Sequence, residues 1–379
     1  MLKAGKILKY DERKYGVNSR LWQGCPTIAV TEGGRLFAGW YSGGSKEPSS
    51  MNYALLETSD DGGLTWSKPL FILDGYPDEN IQLLDIQMWM DPFKRLWVCW
   101  QLRDWKIDHS KPNHLSCWAV VCENPDADSL SFSEPFYICD GFLRCQPTVL
   151  SDGRWLFCAY NWLHDHYAYY ESSDNGKTFQ ARKAGKRIGT ENFDESMILE
   201  RTDGTLWMLA RTWGIGKLAE CFSHDGGKTW TETKPSSIPT PSTRFFIKRL
   251  KSGRVLLVNN DSSTCRNNMT AFLSEDDGRS WKHSILLDKR ITSYPDVAED
   301  INCDLYMIWD RGRETSKEIL LSRITERDII AGDLIEPSSY QCNIISKAPK
   351  PADVPNVNEI IAADIRWLKE AVKTAFPNA

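Results

Sequence analysis

Ser223-His224-Asp225-Gly226-Gly227-Lys228-Thr229-Trp230 decides the fold, because the chain repeats it three more times. The other copies are Ser59-Asp60-Asp61-Gly62-Gly63-Leu64-Thr65-Trp66, Ser172-Ser173-Asp174-Asn175-Gly176-Lys177-Thr178-Phe179 and Ser274-Glu275-Asp276-Asp277-Gly278-Arg279-Ser280-Trp281. The shared form is Ser-x-Asp-x-Gly-x-Thr-aromatic, with Ser280 standing for Thr in the last copy. In such a stretch the Asp carboxylate accepts hydrogen bonds from turn amides, the Gly takes positive φ, and the aromatic ring covers the turn against a sheet. Each copy is expected to be a hairpin turn remote from any substrate, and their recurrence marks a repeat protein.

A second repeat interleaves with the first: an apolar run, a polar turn and another apolar run, as in Cys25-Pro26-Thr27-Ile28-Ala29-Val30 before Arg35-Leu36-Phe37-Ala38. It occurs six times, with later copies beginning near Asp85, Cys145, Asp194, Arg244 and Ser293 and turns such as Asp152-Gly153, Asp203-Gly204 and Ser252-Gly253. The interval is about fifty to sixty residues, enough for four strands. Six such units predict an all-β, six-bladed β-propeller over residues 1–345, with blades two and six lacking the Ser-x-Asp signature. Gly5-Lys6-Ile7-Leu8-Lys9-Tyr10 has strand character and is expected to close the ring beside Glu318-Ile319-Leu320-Leu321-Ser322. Residues 346–379 read as a linker, Ser346 to Pro351, and a short helix, Asn356 to Phe376, with apolar Ile360, Ile361, Ile365, Leu368, Ala371 and Val372. Such a helix docks on its own domain or serves an oligomer contact.

Composition fits this architecture. The chain has 379 residues, 41% of them hydrophobic, and 16 Trp, enough for a large core without disulfides. A net charge of -5 offers no electrostatic footprint for nucleic acid. No apolar run reaches a membrane span, and the first residues do not lead into a secretory signal, so a cytoplasmic location is expected unless a leader has been removed. Eleven cysteines without metal-type spacing agree with reduced thiols. His164-Asp165-His166 lacks a third ligand, so neither metal nor other cofactor is expected.

Propellers present ligand-binding side chains at the heads of their inner strands. Here those heads carry Gln23, Asp85, Gln146, Asp194 with Glu195, Arg244, and Tyr294 with Asp296. A purely structural channel needs small or apolar residues there, so this polar set points to a site. Trp22, Trp89, Trp162 and Trp213 are candidates for stacking on sugar faces.

The segment from Glu195-Ser196-Met197-Ile198 to Met208-Leu209-Ala210-Arg211, with Arg266-Asn267-Asn268-Met269-Thr270-Ala271-Phe272-Leu273 and Ser293-Tyr294-Pro295-Asp296, resembles the Asp-box (BNR-repeat) exo-sialidases. The resemblance covers nearly the whole propeller. It implies that Tyr294 is the nucleophile of a retaining exo-glycosidase, Glu195 its proton acceptor, and Arg211 and Arg266 a clamp on the substrate carboxylate. A neutral phenol suits a sugar whose anomeric carbon bears a carboxylate, because a carboxylate nucleophile would approach against like charge. Counting back from Ser59 to the loop on which the family carries its acid lands on Glu47. The family's Arg-Ile-Pro triplet is replaced by Gly24-Cys25-Pro26, so one arginine is missing; Arg20 and Arg244 are the candidates to replace it. The implied substrate is the terminal, sialic-acid-like sugar of a glycan, or another sugar contacted by Gln23, Trp22 and Gln146, with Asp85 and Asp296 orienting the cluster.

Two further function classes fit parts of this pattern. A polysaccharide lyase would use Tyr294 or a His as base and the arginines to neutralise a uronate, with no need of Glu47. A non-catalytic carbohydrate-binding propeller would use the Trp and Arg residues but not the Glu195 and Tyr294 pair.

Overall fold

A computed structural model of the chain describes residues 3–111, 113–189 and 193–377; residues 1–2 and 378–379 of the two regions set out above lie outside them. The fold is a six-bladed β-propeller with a C-terminal helix, each blade an antiparallel sheet with its core strands in sequence order. The inner strands are Gln23–Val30, Ile81–Met90, Thr148–Val149, Ser196–Glu200, Phe246–Arg249 and Thr292–Glu299. The chain divides into two compact units. One runs to Phe142 and takes in Ile308–Leu321 and Asn343 onward; the other comprises Leu143–Met307 and Ser322–Cys342. In the first, Phe37, Leu56, Leu73, Ile86, Met88, Val98 and Trp100 pack into one apolar core. In the second, Leu156, Tyr167, Tyr169, Ile198, Met208 and Ala219 do the same.

Each Ser-x-Asp signature forms the turn between the third and fourth strands of its blade, as between Lys217–Ser223 and Lys234–Pro239. Asp225 accepts from Lys228 N, Thr229 N and the Ser223 and Thr229 hydroxyls at 2.6–3.0 Å, and Gly227 N donates to Ser223 Oγ at 2.8 Å. Gly227 has φ +92°, which a side chain would strain. The aromatic positions pack as expected: Phe179 meets Phe157 edge-on at 5.1 Å, and Trp230 meets Tyr169 at 6.0 Å.

These turns carry a pH signature. The Thr side-chain and backbone hydrogen bonds hold Asp61, Asp174 and Asp225 at about 2, below their ordinary 3.8. Their contribution to stability is therefore complete above the unfolded value and disappears as pH falls toward the folded one. Thermal melting should weaken between about pH 4 and pH 2, and Asp174→Asn should make that dependence shallower. An unchanged melting profile in the variant would contradict the assignment.

Three expectations at the chain ends require correction. The N-terminal strand Lys6–Leu8 does not enter the last blade: it pairs antiparallel with Phe71–Asp74, Lys6 opposite Asp74, as a fifth strand of blade one. The expected partner, Glu318–Ile324, already has a neighbour on each side in its own sheet, because Tyr340–Lys347 supplies that blade's outer strand. This strand includes Ser346 and Lys347, which the sequence assigned to a linker. The helix spans Val357–Ala375, but its docking face differs from the expected stripe. Asp364, Ala371 and Ala375 are buried, whereas Ile365 and Val372 are exposed. Trp105 packs against Ala371, Ala375, Trp367 and Leu368, so the helix lies on its own unit.

Candidate active site

Within the second unit, the strand from Ser196 and the strand from Thr292 bring Glu195 and Tyr294 together. The Tyr294 hydroxyl donates to Glu195 Oε1 at 2.9 Å, and both groups are buried. Arg211, at the end of the strand antiparallel to Ser196–Glu200, completes the arrangement. Its Nη1 donates to Glu195 Oε1 at 3.0 Å, to Oε2 at 2.9 Å and to the Tyr294 hydroxyl oxygen at 3.0 Å. Burial alone would push the Glu195 carboxyl up, but Arg211 and Arg144, with hydrogen bonds from Tyr294 and Arg211, outweigh it and hold the group at about 2. Glu195 is thus ionised across the working pH range.

Arg144 is the principal residue that sequence reasoning missed. Its Nη1 lies 3.4 Å from both Glu195 Oε1 and the Tyr294 hydroxyl, and the residue is 5% exposed. A cation inside the apolar run Phe142-Leu143-Arg144-Cys145 was the available signal, since arginine is rarely buried unpaired. Tyr160 is buried within electrostatic reach of Arg144, Glu195, Tyr294 and Arg211; burial raises its phenol well above the ordinary value, with Arg144 opposing.

Tyr294 has φ +57°, a left-handed conformation uncommon for a bulky side chain and disfavoured before Pro295. Arg244 braces it. One Arg244 nitrogen donates to the carbonyls of Tyr294 and Pro295 at 3.0 and 3.1 Å, the other to that of Arg144 at 2.7 Å. At 2% exposure, Arg244 holds backbone where the sequence offered it as a replacement clamp. Arg266 is half-buried, donates to the Ser242 carbonyl at 2.9 Å and stands over the Tyr294 ring at 5.7 Å. Gln146 donates to buried Asp296 at 3.0 Å, and Asp194 pairs with Arg187 at 2.8 Å. Burial pushes Asp194 up to about 6 against the pull of Arg187. Phe193 and Trp213, each 40% exposed, flank the Arg211 guanidinium at 5.4 and 6.0 Å, and Trp162 packs against Phe193.

Residues 121–307 match the family described as BNR repeat-like domain. Among solved structures, a Hadza microbial sialidase is similar at 18% identity and TM-score 0.65, over 78% of this chain and 65% of its own. The chain has a sialidase-like propeller fold. A mutant of the NanB sialidase from Streptococcus pneumoniae matches at 16% identity and TM-score 0.65, over 82% of this chain and 70% of its own. The intramolecular trans-sialidase from Ruminococcus gnavus, solved with oseltamivir carboxylate, matches at 14% identity and TM-score 0.66, over 83% and 96%. At these identities the likeness is one of fold, and the chain spans less than two thirds of the first structure's length. No curated protein matches the chain by sequence.

The remaining candidates lie in the first unit. Glu47 is partly exposed and sits 3.7 Å from Arg313 Nη1. Arg313 in turn donates to Asp310 Oδ2 from Nε at 2.9 Å and packs over the Trp22 ring. It occupies the space beside Gly24: a Cβ there would lie 2.8 Å from Arg313 Nε and 2.9 Å from its Cδ. The absence of a side chain at Gly24 is thus matched by an arginine from a distant stretch of chain. Arg20, offered as the replacement cation, is buried, with its guanidinium on the Tyr15 carbonyl at 3.1 Å and Ser346 Oγ at 3.4 Å. Gln23 donates to the Lys317 carbonyl at 2.6 Å, and Asp85 is buried at the register break between Leu84 and Ile86. Trp22 and Trp89 are buried at 1% and 4% exposure, which removes them as sugar-stacking platforms and leaves Trp162 and Trp213.

Proposed function

We propose that the protein is a retaining exo-glycosidase that removes a terminal acidic sugar, with Tyr294 as nucleophile and Glu195 as its proton acceptor. The observation that carries this reading is the phenol hydroxyl donating at 2.9 Å to a buried, ionised carboxylate, with arginine nitrogens at 3.0 and 3.4 Å from the same oxygen. A carbohydrate-binding surface has no need of a buried nucleophile–base pair, whereas nucleophilic catalysis requires one. In the proposed reaction the Tyr294 oxygen attacks the anomeric carbon as its proton passes to Glu195. Arg211 and Arg144 stabilise the negative charge as it develops. The leaving oxygen takes a proton from an acid, assigned to Glu47 on the sequence correspondence alone. Water, giving a proton to the conjugate base of that acid, then displaces the tyrosine, whose oxygen takes its proton back from Glu195, and the second inversion restores the anomeric configuration.

Four guanidiniums lie at the Tyr294 hydroxyl or over its ring, which favours a substrate that carries a carboxylate. Arg266 is the half-buried member and the one assigned to bind that carboxylate together with Arg211; both donate to Ser242. Sugar release should be measured on α-linked sialosides, other keto-acid glycosides, uronates and neutral glycosides. The expected result is release of an acidic sugar, with Arg266→Ala raising KM by about 10- to 100-fold, the value of a charge-assisted hydrogen bond. An unsaturated, ultraviolet-absorbing product would replace this reading with the lyase, and selective turnover of neutral sugars would refute the acidic substrate.

A further inference from the structure

The C-terminal helix places a fully buried carboxylate on its docking face. Asp364 is 0% exposed, and its contacts run to one loop, residues 43–50. Oδ2 accepts from both the backbone N and the Oγ of Ser45 at 2.7 Å, and Oδ1 accepts from Ser49 Oγ. Burying a carboxylate is costly unless it is fully hydrogen-bonded, and an apolar residue would serve a helix that only had to dock. Docking is already provided by Trp367, whose ring meets Trp105 edge-on at 5.4 Å and whose Nε1 donates to Asn80 Oδ1 at 3.1 Å. Asp364 therefore serves the loop.

That loop carries Glu47 midway between the two tethered serines. A second set of bonds fixes its base. Asn52 Nδ2 donates to the carbonyls of Gly43 at 2.6 Å and Lys46 at 3.1 Å, and Asn52 Oδ1 accepts from Ser49 N, Tyr41 and Gln82. Trp105, the ring on which the helix rests, donates to that same Gln82 at 2.9 Å. Helix and loop are joined through both sets.

We propose that Asp364 is a positioning residue: the C-terminal helix acts as a clasp that fixes the loop so that Glu47 presents its carboxyl in one geometry. The inference rests on Glu47 being the acid of the proposed reaction. General-acid catalysis is needed most by poor leaving groups, and a nitrophenolate leaves without it. A displaced acid therefore has a signature that general destabilisation lacks, namely a defect that grows with the pKa of the leaving alcohol.

The experiment measures kcat/KM for glycosides of the sugar that the wild type releases, with leaving groups from 4-nitrophenol to an alkyl alcohol. Glu47→Gln, Asp364→Ala, Asp364→Asn and the double variant Ser45→Ala/Ser49→Ala are compared. Asp364→Ala and the serine variant should lose about tenfold or more on the alkyl glycoside, as expected for a misplaced catalytic group, with the nitrophenyl glycoside nearly unaffected. Glu47→Gln should show a steeper dependence of the same sign, and Asp364→Asn, which keeps an accepting oxygen, should fall between. If Asp364→Ala does not fold, the serine variant carries the test from the loop side. A loss equal across leaving groups, or wild-type behaviour in both, overturns the positioning role while a leaving-group-dependent Glu47→Gln keeps the acid assignment. If Glu47→Gln shows no such dependence, or the wild type turns over none of the sugars, the acid assignment falls and the clasp falls with it.

Discussion

Tyr294→Phe is expected to lower turnover by on the order of 10³-fold or more while leaving the fold and ligand affinity nearly intact. The substitution removes one oxygen and nothing else. The ring stays beneath Arg244 and Arg266, whose guanidiniums stand 5.2 and 5.7 Å from its centre, and Arg244 continues to hold the carbonyls of residues 294 and 295. Glu195 keeps both bonds from Arg211, so no buried charge is stranded. Melting temperature and the dissociation constant for a product sugar should therefore change little as sugar release disappears. Residual turnover within tenfold of the wild type would rule out the phenol as nucleophile.

Glu195→Gln should show a different combination, losing both activity and stability. Removal of the proton acceptor lowers turnover by about 10²- to 10⁴-fold. The substitution also leaves Arg211 and Arg144 buried without their shared anion, and breaking a buried pair from one side costs about 3–5 kcal/mol, readable from urea unfolding. The pH dependence carries a sign. The carboxyl lies at about 2 in the folded protein against 4.5 when free, so its stabilisation is present above the free value and is lost as pH falls toward 2. Wild-type stability should decline across that window, and the variant should lack this component. In the double variant with Tyr294→Phe, activity should fall little below that of the weaker single variant, because nucleophile and base act as one unit. A variant as stable as the wild type would show that Glu195 does not neutralise the two arginines.

Much of this was legible in the sequence because the signals were local. Ser-x-Asp-x-Gly turns carry their own hydrogen-bond partners within eight residues, so four hairpins and the repeat followed from spacing alone. The resemblance of the segments around Glu195, Arg211 and Tyr294 to the sialidases likewise anticipated three side chains that meet at 2.9–3.0 Å. What escaped depended on long-range packing. Arg313 reaches Gly24 from nearly three hundred residues away, and a missing side chain leaves no mark that names what fills its place. Arg144 stands out in its apolar run, but nothing local to that run names its distant partners, Glu195 and Tyr294. The strand Lys6–Leu8 is too short to encode a partner, so the available edge decided its pairing. The helix was misread by half a face because its buried anchor, Asp364, is a polar residue that hydrophobic periodicity assigns to solvent.

The shared donor of Arg211 has one more consequence. Its Nη1 stands 3.0 Å from the Tyr294 hydroxyl oxygen and 3.0 Å from Glu195 Oε1, and those two oxygens are 2.9 Å apart. When negative charge migrates from carboxylate to phenolate, its distance to the guanidinium stays constant. The Coulomb energy with that cation is then nearly the same before and after transfer, and no dipole has to rotate to follow the charge. In water the same exchange would require two solvation shells to rearrange; here the nearly equilateral triangle of nitrogen and two oxygens keeps the Arg211 charge equally close to whichever oxygen is charged.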